Sequence, residues 1–411
     1  MPATPEPAPP EPLRGRHAAS FGLVSIATLF EGFDTQLASL VLPFLQRDFA
    51  AGPAELGALL SRIGWGTILA FALIQFADRI GRRPVFLVSL AGYSLFTLAT
   101  AFARSPGEFA ALQLVARLFM VSELALAYVI LSEELPERVR GRANGLLGGC
   151  AAFGAALPAA LLPALESTGP GWRGLFAIGA LPLLLFPLYW SLLRETRSFR
   201  ARAASRGRGL SRAALGPLLA PGSRGRLAAM TAIWFALNFS AASVMFFFFQ
   251  YALGERGLST RDTAWIAPAS LPFGFAGYAA AGWLMDRVGR RPTLCLYLAL
   301  GSAVGVLCYQ SEARGIVLGC YVALQLLNGG WAIAATLCAE LFPTGLRATA
   351  TALSHNLLGR SGMVIAPWVA GRLAEALGST GDAIAALALL PLLCLPVVWF
   401  GLPETRATRI A

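Results

Sequence analysis

The sequence predicts an all-α membrane protein with twelve transmembrane helices in two pseudo-symmetric six-helix bundles. Three observations lead there. Hydrophobic residues make up 56% of the 411 residues and charged residues only 13%, about half the ~25% of a soluble domain. The apolar residues gather in runs of transmembrane length, separated by short Arg-rich gaps. And the second half of the chain repeats motifs of the first. This composition excludes a soluble α/β enzyme, a secreted disulfide scaffold and a disordered chain.

Residues 1–17 are rich in Pro and Ala and read as a disordered tail. The apolar run that follows is too long, and too interrupted by Glu31 and Asp34, for a cleaved signal peptide. At about 20 residues each, the spans fall near 18–45, 55–77, 84–103, 107–131, 143–164, 173–193, 227–250, 263–285, 292–311, 315–339, 348–370 and 383–402. This divides the chain into a first bundle (18–193), a linker (194–226), a second bundle (227–402) and a short tail (403–411). The linker carries nine Arg.

The net charge of +11 is a topology signal. All 33 basic residues are Arg. On the side of the two termini the charge balance is +13, on the opposite side −2, and inside the spans zero. The positive-inside rule then puts both termini in the cytoplasm, with no nucleic-acid partner implied. The six cysteines show no CxxC or His spacing, so neither a metal site nor a disulfide framework is expected.

Three motifs recur at a nearly constant offset. Asp78-Arg79-Ile80-Gly81-Arg82-Arg83-Pro84 returns as Asp286-Arg287-Val288-Gly289-Arg290-Arg291-Pro292. Glu134-Leu135-Pro136 with Arg140 returns as Glu340-Leu341-Phe342-Pro343 with Arg347, and Glu195-Thr196-Arg197 as Glu404-Thr405-Arg406. Each copy falls in the corresponding loop, so the chain is read as a duplicated six-helix unit. Parallel repeats flanking a mid-membrane site are one transporter plan.

Taken together, these loops resemble the major facilitator superfamily over essentially the whole chain. The resemblance implies two bundles rocking about a central site. Within it, Glu31-Gly32-Phe33-Asp34-Thr35-Gln36 is similar to the D-G-F-D-T-Q signature of the aromatic acid:proton symporters. Gly359-Arg360-Ser361-Gly362 with Pro367 is similar to the G-R-x-G…P stretch of that group and of related metabolite:proton symporters. The chain departs from the family pattern in two places: Ile74 stands where Gly is usual, and Val121, Ser122 and Glu123 replace a Gly-rich stretch. The resemblance also implies a cytoplasmic gate of Asp78, Arg82, Arg138 and Arg142, with Asp286 and Arg290 in the second half; topogenic charge alone is the rival reading. Gly141, Gly145 and Gly149 form a ridge suited to close helix approach. The fifth span lacks the Gly-Pro pattern of family antiporters, which favours uptake over efflux.

Six ionic groups lie inside the spans: Glu31, Asp34, Arg62, Arg117, Glu123 and Arg360. Each costs about 2.5–3.5 kcal/mol at mid-membrane unless paired or wetted, so they must face water or one another. Glu31 and Asp34, three residues apart, share a helix face. Two close carboxylates cannot both ionise cheaply, which makes them the proton-coupling candidates, with Asp34 leading because it matches the family position. A salt bridge to an Arg of span 2 or 4 is the structural alternative. Arg117 and Arg360 place a guanidinium in each half, as a clamp on a carboxylate needs. Tyr128 shares the face of Arg117, and His355 and Asn356 lie near Arg360. Gln325, Asn328 and Trp331, with Asn238 and Gln250, are further cavity candidates. Arg62 can snorkel to an interface, and Glu123 lies about 120° around the helix from Arg117.

The sequence thus predicts a proton-coupled symporter of the bacterial cytoplasmic (inner) membrane, a monomer importing a small organic anion by alternating access, with an aromatic carboxylate foremost. Its partners are a small-molecule substrate, protons and the bilayer. No cofactor motif and no enzymatic constellation are visible. The alternatives are efflux of amphipathic compounds, uptake of a neutral metabolite such as a sugar, and a non-transporting membrane sensor.

Overall fold

A computed structural model describes residues 15–196, 199–200 and 218–406. The first 14 residues, most of the 194–226 linker and residues 407–411 lie outside the described residues, as do the side chains of the gate candidates Asp78 and Arg138.

Among the described residues every regular element is helical. In lipid a helix satisfies its own backbone hydrogen bonds, so long apolar runs have no other open form available. The first half runs α1 (Gly15–Leu40), α2 (Leu42–Phe49), α3 (Pro53–Ile80), α4 (Arg82–Thr100), α5 (Pro106–Glu134), α6 (Glu137–Thr168), α7 (Gly171–Gly179) and α8 (Phe186–Leu192). The second runs α9 (Pro221–Phe246), α10 (Thr260–Ala264), α11 (Ile266–Val288), α12 (Arg290–Gln310), α13 (Arg314–Leu327), α14 (Gly329–Leu341), α15 (Thr344–Thr351), α16 (Ser361–Leu377), α17 (Thr380–Leu387) and α18 (Cys394–Gly401). Nine helical stretches among the described residues are long and apolar enough to cross a membrane, and they coincide with nine of the expected spans. The runs near 18–45, 263–285 and 348–370 are helical too but fall outside that set.

The repeat reaches beyond the motifs. The last span of each half is broken by a tight turn, at Leu181–Leu183 between α7 and α8 and at Leu390–Leu393 between α17 and α18. Pro182 and Pro187 in the first half correspond to Pro391 and Pro396 in the second, and each proline removes a backbone donor.

The duplicated loops fold alike. Gly81 (φ +117°) and Gly289 (φ +110°) turn the chain between antiparallel helices in a conformation that side chains disfavour. The Glu195 carboxylate accepts from the backbone N–H groups of Arg82 (3.0 Å) and Arg83 (3.2 Å), capping α4. Glu404 does the same for Arg290 (2.9 Å) and Arg291 (3.0 Å), capping α12. Thr196 donates to Glu133, which pairs with Arg82 at 3.4 Å. Thr405 donates to Glu340, which pairs with Arg290 at 3.0 Å. The counterpart of Glu340 is therefore Glu133, one residue upstream of the Glu134 expected from the motif; the second copy carries an extra residue, Phe342, before its proline.

In this conformation the gate candidates Arg82 and Arg290 pair with carboxylates of their own halves, Arg290 also approaching Asp286 at 3.6 Å. Arg142 is exposed, and among the described residues it makes no ion pair. Burial raises the Glu404 carboxyl, but backbone N–H groups of Arg290, Arg291, Arg406 and Thr405 outweigh it and hold the group below its ordinary value. A depressed carboxylate stabilises the fold above its unfolded pKa of about 4.3, and that stability is lost as pH falls through the folded value. Thermal stability is therefore expected to drop between roughly pH 5 and pH 3, with the drop reduced in Glu404→Gln; a melting series across that range measures it.

Among the described residues the two halves share an apolar core at one end, with Leu40, Leu56, Phe109 and Trp172 from the first half and Phe247, Phe248, Tyr251 and Tyr321 from the second. At the other end each half has its own core, around Phe86, Ile130 and Tyr189 in one and Met230, Leu294 and Leu337 in the other. The seam at the joined end is tight. Ser39 donates to the Phe246 carbonyl at 2.8 Å, Gln250 to Gln46 at 3.3 Å, and Thr260 to Glu166 at 2.6 Å. Across it α3 packs on α16, where Gly57 lies backbone-to-backbone against Pro367 and Gly371.

Candidate functional site

Between the halves lies a cavity of about 560 Å³. Gln36 of α1 borders it, and α6, α11 and α13 supply its walls. One wall, on α6, is nearly free of side chains: Gly145, Gly148, Gly149, Ala152, Ala155 and Ala156. The facing wall carries Phe275, Tyr278 and Tyr321. The glycine ridge is thus not the helix-packing seam expected from its spacing, since nothing lies within 4 Å of a Cβ placed on Gly141 or Gly145. Close approach of α1 to α6 is made instead by Gly32 against Ala151 and Gly154 against Leu29.

Of the ionic groups, Glu31, Arg117 and Arg360 come within electrostatic reach of one another. Glu31, buried, accepts from Thr35 at 3.1 Å and lies within electrostatic reach of both Arg117 and Arg360. Arg117 borders a narrow space closed by Thr35 and Gly64 from the first half and by Phe246 and Met363 from the second. Arg360 follows a π-helical turn, Ala352–Gly359, and its backbone N–H donates to the His355 carbonyl at 2.9 Å. Such turns widen a helix by one residue and recur at functional sites.

Asp34 faces elsewhere. It accepts from Thr97 of α4 at 2.8 Å, and its other oxygen lies against Gly179, inside the first half. Glu31, not the expected leader Asp34, therefore confronts both guanidinium groups. Among the described residues no ion pair within 4 Å joins any of these carboxylates to Arg117 or Arg360.

The remaining candidates divide. Gln325 and Asn328 line the cavity, Asn328 donating to Gln325 at 2.7 Å. Tyr128 bridges the two regions: its hydroxyl lies 3.5 Å from a Cβ placed on the wall residue Gly148, and it is within electrostatic reach of Glu31. His355 stacks on Trp234, with ring centroids 4.0 Å apart, and Trp331 packs against both rings. These three rings form a separate aromatic cluster next to Arg360. Asn356 is half-buried and Arg62 exposed. Asn238 donates to the Trp234 carbonyl at 2.8 Å, and Gln250 lies at the closed end. Gln36, Asn144 and Tyr278 line the cavity without having been singled out as binding residues. Gln36 ends the Glu31–Gln36 motif, but nothing in the sequence sets Asn144 and Tyr278 apart from packing positions.

The Major Facilitator Superfamily model matches residues 24–367. The chain belongs to the Major Facilitator Superfamily. It is a multi-pass membrane transporter and not an enzyme. Among similar proteins is a gallate transporter of Pseudomonas putida, 28% identical over 85% of this chain and 84% of that one. A 3-(3-hydroxy-phenyl)propionate transporter of Escherichia coli is 27% identical over 90% and 91%, and a niacin transporter of Acinetobacter baylyi 27% over 87% of each. Among solved structures, a D-xylose-proton symporter superposes with a TM-score of 0.76 at 17% identity, over 95% of this chain and 98% of that one. An inward-facing, occupied bacterial homologue of the lysosomal transporter Spinster gives 0.77 at 14%, over 95% and 97%.

Proposed function

We propose that the protein is a proton-coupled symporter importing a small organic anion, foremost an aromatic monocarboxylate, by alternating access. The observation that carries this reading is Glu31 within reach of two guanidinium groups contributed by opposite halves of the chain. A substrate carboxylate on Arg117 and Arg360 competes with Glu31 for the same positive charge. Its arrival favours a proton on Glu31, and loading both together keeps the buried charge balanced. The empty and the fully loaded carrier can then change conformation, while half-loaded forms carry an uncompensated charge.

The cavity supports the aromatic part of the reading. Its 560 Å³ lies within the ~300–1,000 Å³ of small-molecule pockets. A glycine and alanine wall facing an aromatic wall is a slot for a flat ring, and Tyr128 joins that slot to the ionic group. Gln325 and Asn328 are the polar contacts on the slot, with His355, Asn356 and Trp331 assigned to the Arg360 side. The names of the similar gallate, hydroxyphenylpropionate and niacin transporters support the same substrate class.

The finer architecture belongs to this proposal: twelve spans in two six-helix bundles, 18–193 and 227–402, joined by the 194–226 linker, acting as a monomer. The Arg balance supports cytoplasmic termini, and the bacterial origin of the relatives supports the inner membrane. On that orientation the joined end faces outward, and the conformation is open to the cytoplasm. Asp34, secured by Thr97, is the second carboxylate of the coupling pair and serves as its standing negative charge. Asp78, Arg82, Arg138, Arg142, Asp286 and Arg290 form the cytoplasmic gate when that end closes.

Uptake of labelled 4-hydroxybenzoate into proteoliposomes tests the reading. An inside-alkaline pH gradient is expected to drive accumulation. Glu31→Gln is expected to abolish accumulation while retaining substrate exchange at equal pH. Wild-type uptake indifferent to the pH gradient would overturn proton coupling.

A further inference from the structure

We propose that Glu123 keeps a proton throughout the cycle, so that transport is electroneutral, with one proton on Glu31 accompanying each monocarboxylate. This rests on the symport reading above and adds its stoichiometry.

Glu123 sits deep in α5, eleven residues from its last residue, Glu134, and is fully buried. Neither of its carboxylate oxygens has a hydrogen-bond partner among the described residues. No Arg lies within ion-pairing distance of it among the described residues. The ionisable groups in reach of it are Glu31 of α1, Tyr93 of α4 and Tyr189, the last donating to the Leu23 carbonyl. Neither α3 nor α6, which also pack on α5, brings a charged group to it among the described residues. A carboxylate can accept about four hydrogen bonds; here the protein supplies none, and the nearest charge is a like one. An ionised Glu123 has nothing to stabilise it, whereas the neutral acid needs no counter-charge.

Charge counting then sets the stoichiometry. Glu31 is within electrostatic reach of both Arg117 and Arg360, and Asp34, though turned toward Thr97, is within reach of Arg117. His355, buried against Trp234 and within electrostatic reach of Arg360, is counted neutral because an imidazolium there would lack water and add like charge to Arg360. Arg62 is exposed and stands outside the set. In the empty carrier Glu31 and Asp34 are ionised and balance the two arginines, with Glu123 neutral. In the loaded carrier the substrate carboxylate replaces Glu31, whose oxygen has taken one proton from the outer water, and the balance is again zero. Release returns that proton and the anion to the inner water. A proton leaving Glu123 in either state would create an unbalanced charge deep in the first half.

Two measurements test this. The infrared difference spectrum of wild type minus Glu123→Gln, recorded on the purified proteins at neutral pH without substrate, is expected to show a protonated carboxyl band. Absence of that band overturns the proposal, and this readout stands even if 4-hydroxybenzoate proves not to be transported, an outcome that would count against the symport reading instead. In proteoliposomes with a fixed pH gradient, uptake of 4-hydroxybenzoate is expected to be unchanged by a potassium–valinomycin potential of either sign. Glu123→Gln, which mimics the neutral acid, is expected to keep gradient-driven uptake where Glu31→Gln loses it. Acceleration by an inside-negative potential, as a second transported proton on Glu123 or Asp34 would cause, or loss of coupling in Glu123→Gln, would overturn the proposal. The potential test uses the wild-type chain, so a variant that fails to fold does not remove it.

Discussion

Arg360→Gln is expected to lower the affinity for 4-hydroxybenzoate by about 30-fold or more, the consequence of removing one partner of a buried charged pair worth about 2–5 kcal/mol. The guanidinium of Arg360 makes no hydrogen bond to the protein among the described residues, so its loss removes little of the fold. What it removes is the second half's share of the positive charge before Glu31. Arg360→Lys is expected to restore the charge but only part of the affinity, because an ammonium lacks the two-pronged geometry that matches a carboxylate. Calorimetric titration of the purified variants at constant pH measures both effects. Unchanged affinity in Arg360→Gln would reduce the residue to a support of the π-helical turn and leave Arg117 as the only cationic contact. A neutral substrate would give the same indifference, so the titration also separates anion from sugar-like uptake.

Much of the fold was legible because its determinants are local. Apolar runs, turn glycines such as Gly81 and Gly289, and the paired Glu-Thr endings can each be read without tertiary knowledge, and the structure uses every one of them twice. The error of one residue at Glu133 arose because two adjacent glutamates offer the same letters, while only the helix rotation decides which reaches Arg82. The site was legible to the level of residue type. An ionic group in lipid demands a partner or water, which singles out Glu31, Asp34, Arg117 and Arg360 from their burial cost alone. Which carboxylate faces the arginines was not legible: residues three apart differ by about 60° around a helix, and packing against Thr97 and Gly179 turns Asp34 away. The α6 glycines show the same limit. Their spacing fits a packing seam and a smooth cavity wall equally well, and the choice depends on how far the halves stand apart.

That separation is itself open to test at Gly57. A Cβ placed there falls 2.3 Å from the Pro367 carbonyl oxygen and 2.9 Å from the Gly371 Cα. Both obstacles are backbone, so no rotamer change relieves the clash and α3 must move off α16. Overpacking of this kind costs about 1–3 kcal/mol, similar to the few kcal/mol separating alternative conformations of a two-state protein. Gly57→Leu is therefore expected to destabilise the joined end and shift the population toward the conformation in which that end is open. Spin labels at the exposed positions Glu55 and Arg372, on a cysteine-free background, are expected to report a longer distance in the variant, with uptake falling alongside. Gly64 provides the graded control: a Cβ there meets Val364 at 3.2 Å, partly through its side chain, so Gly64→Ala is expected to shift the distances much less. Identical distance distributions in Gly57→Leu and the wild type would show that this seam does not govern closure, and the role would pass to the contacts of Ser39 with Phe246 and of Thr260 with Glu166.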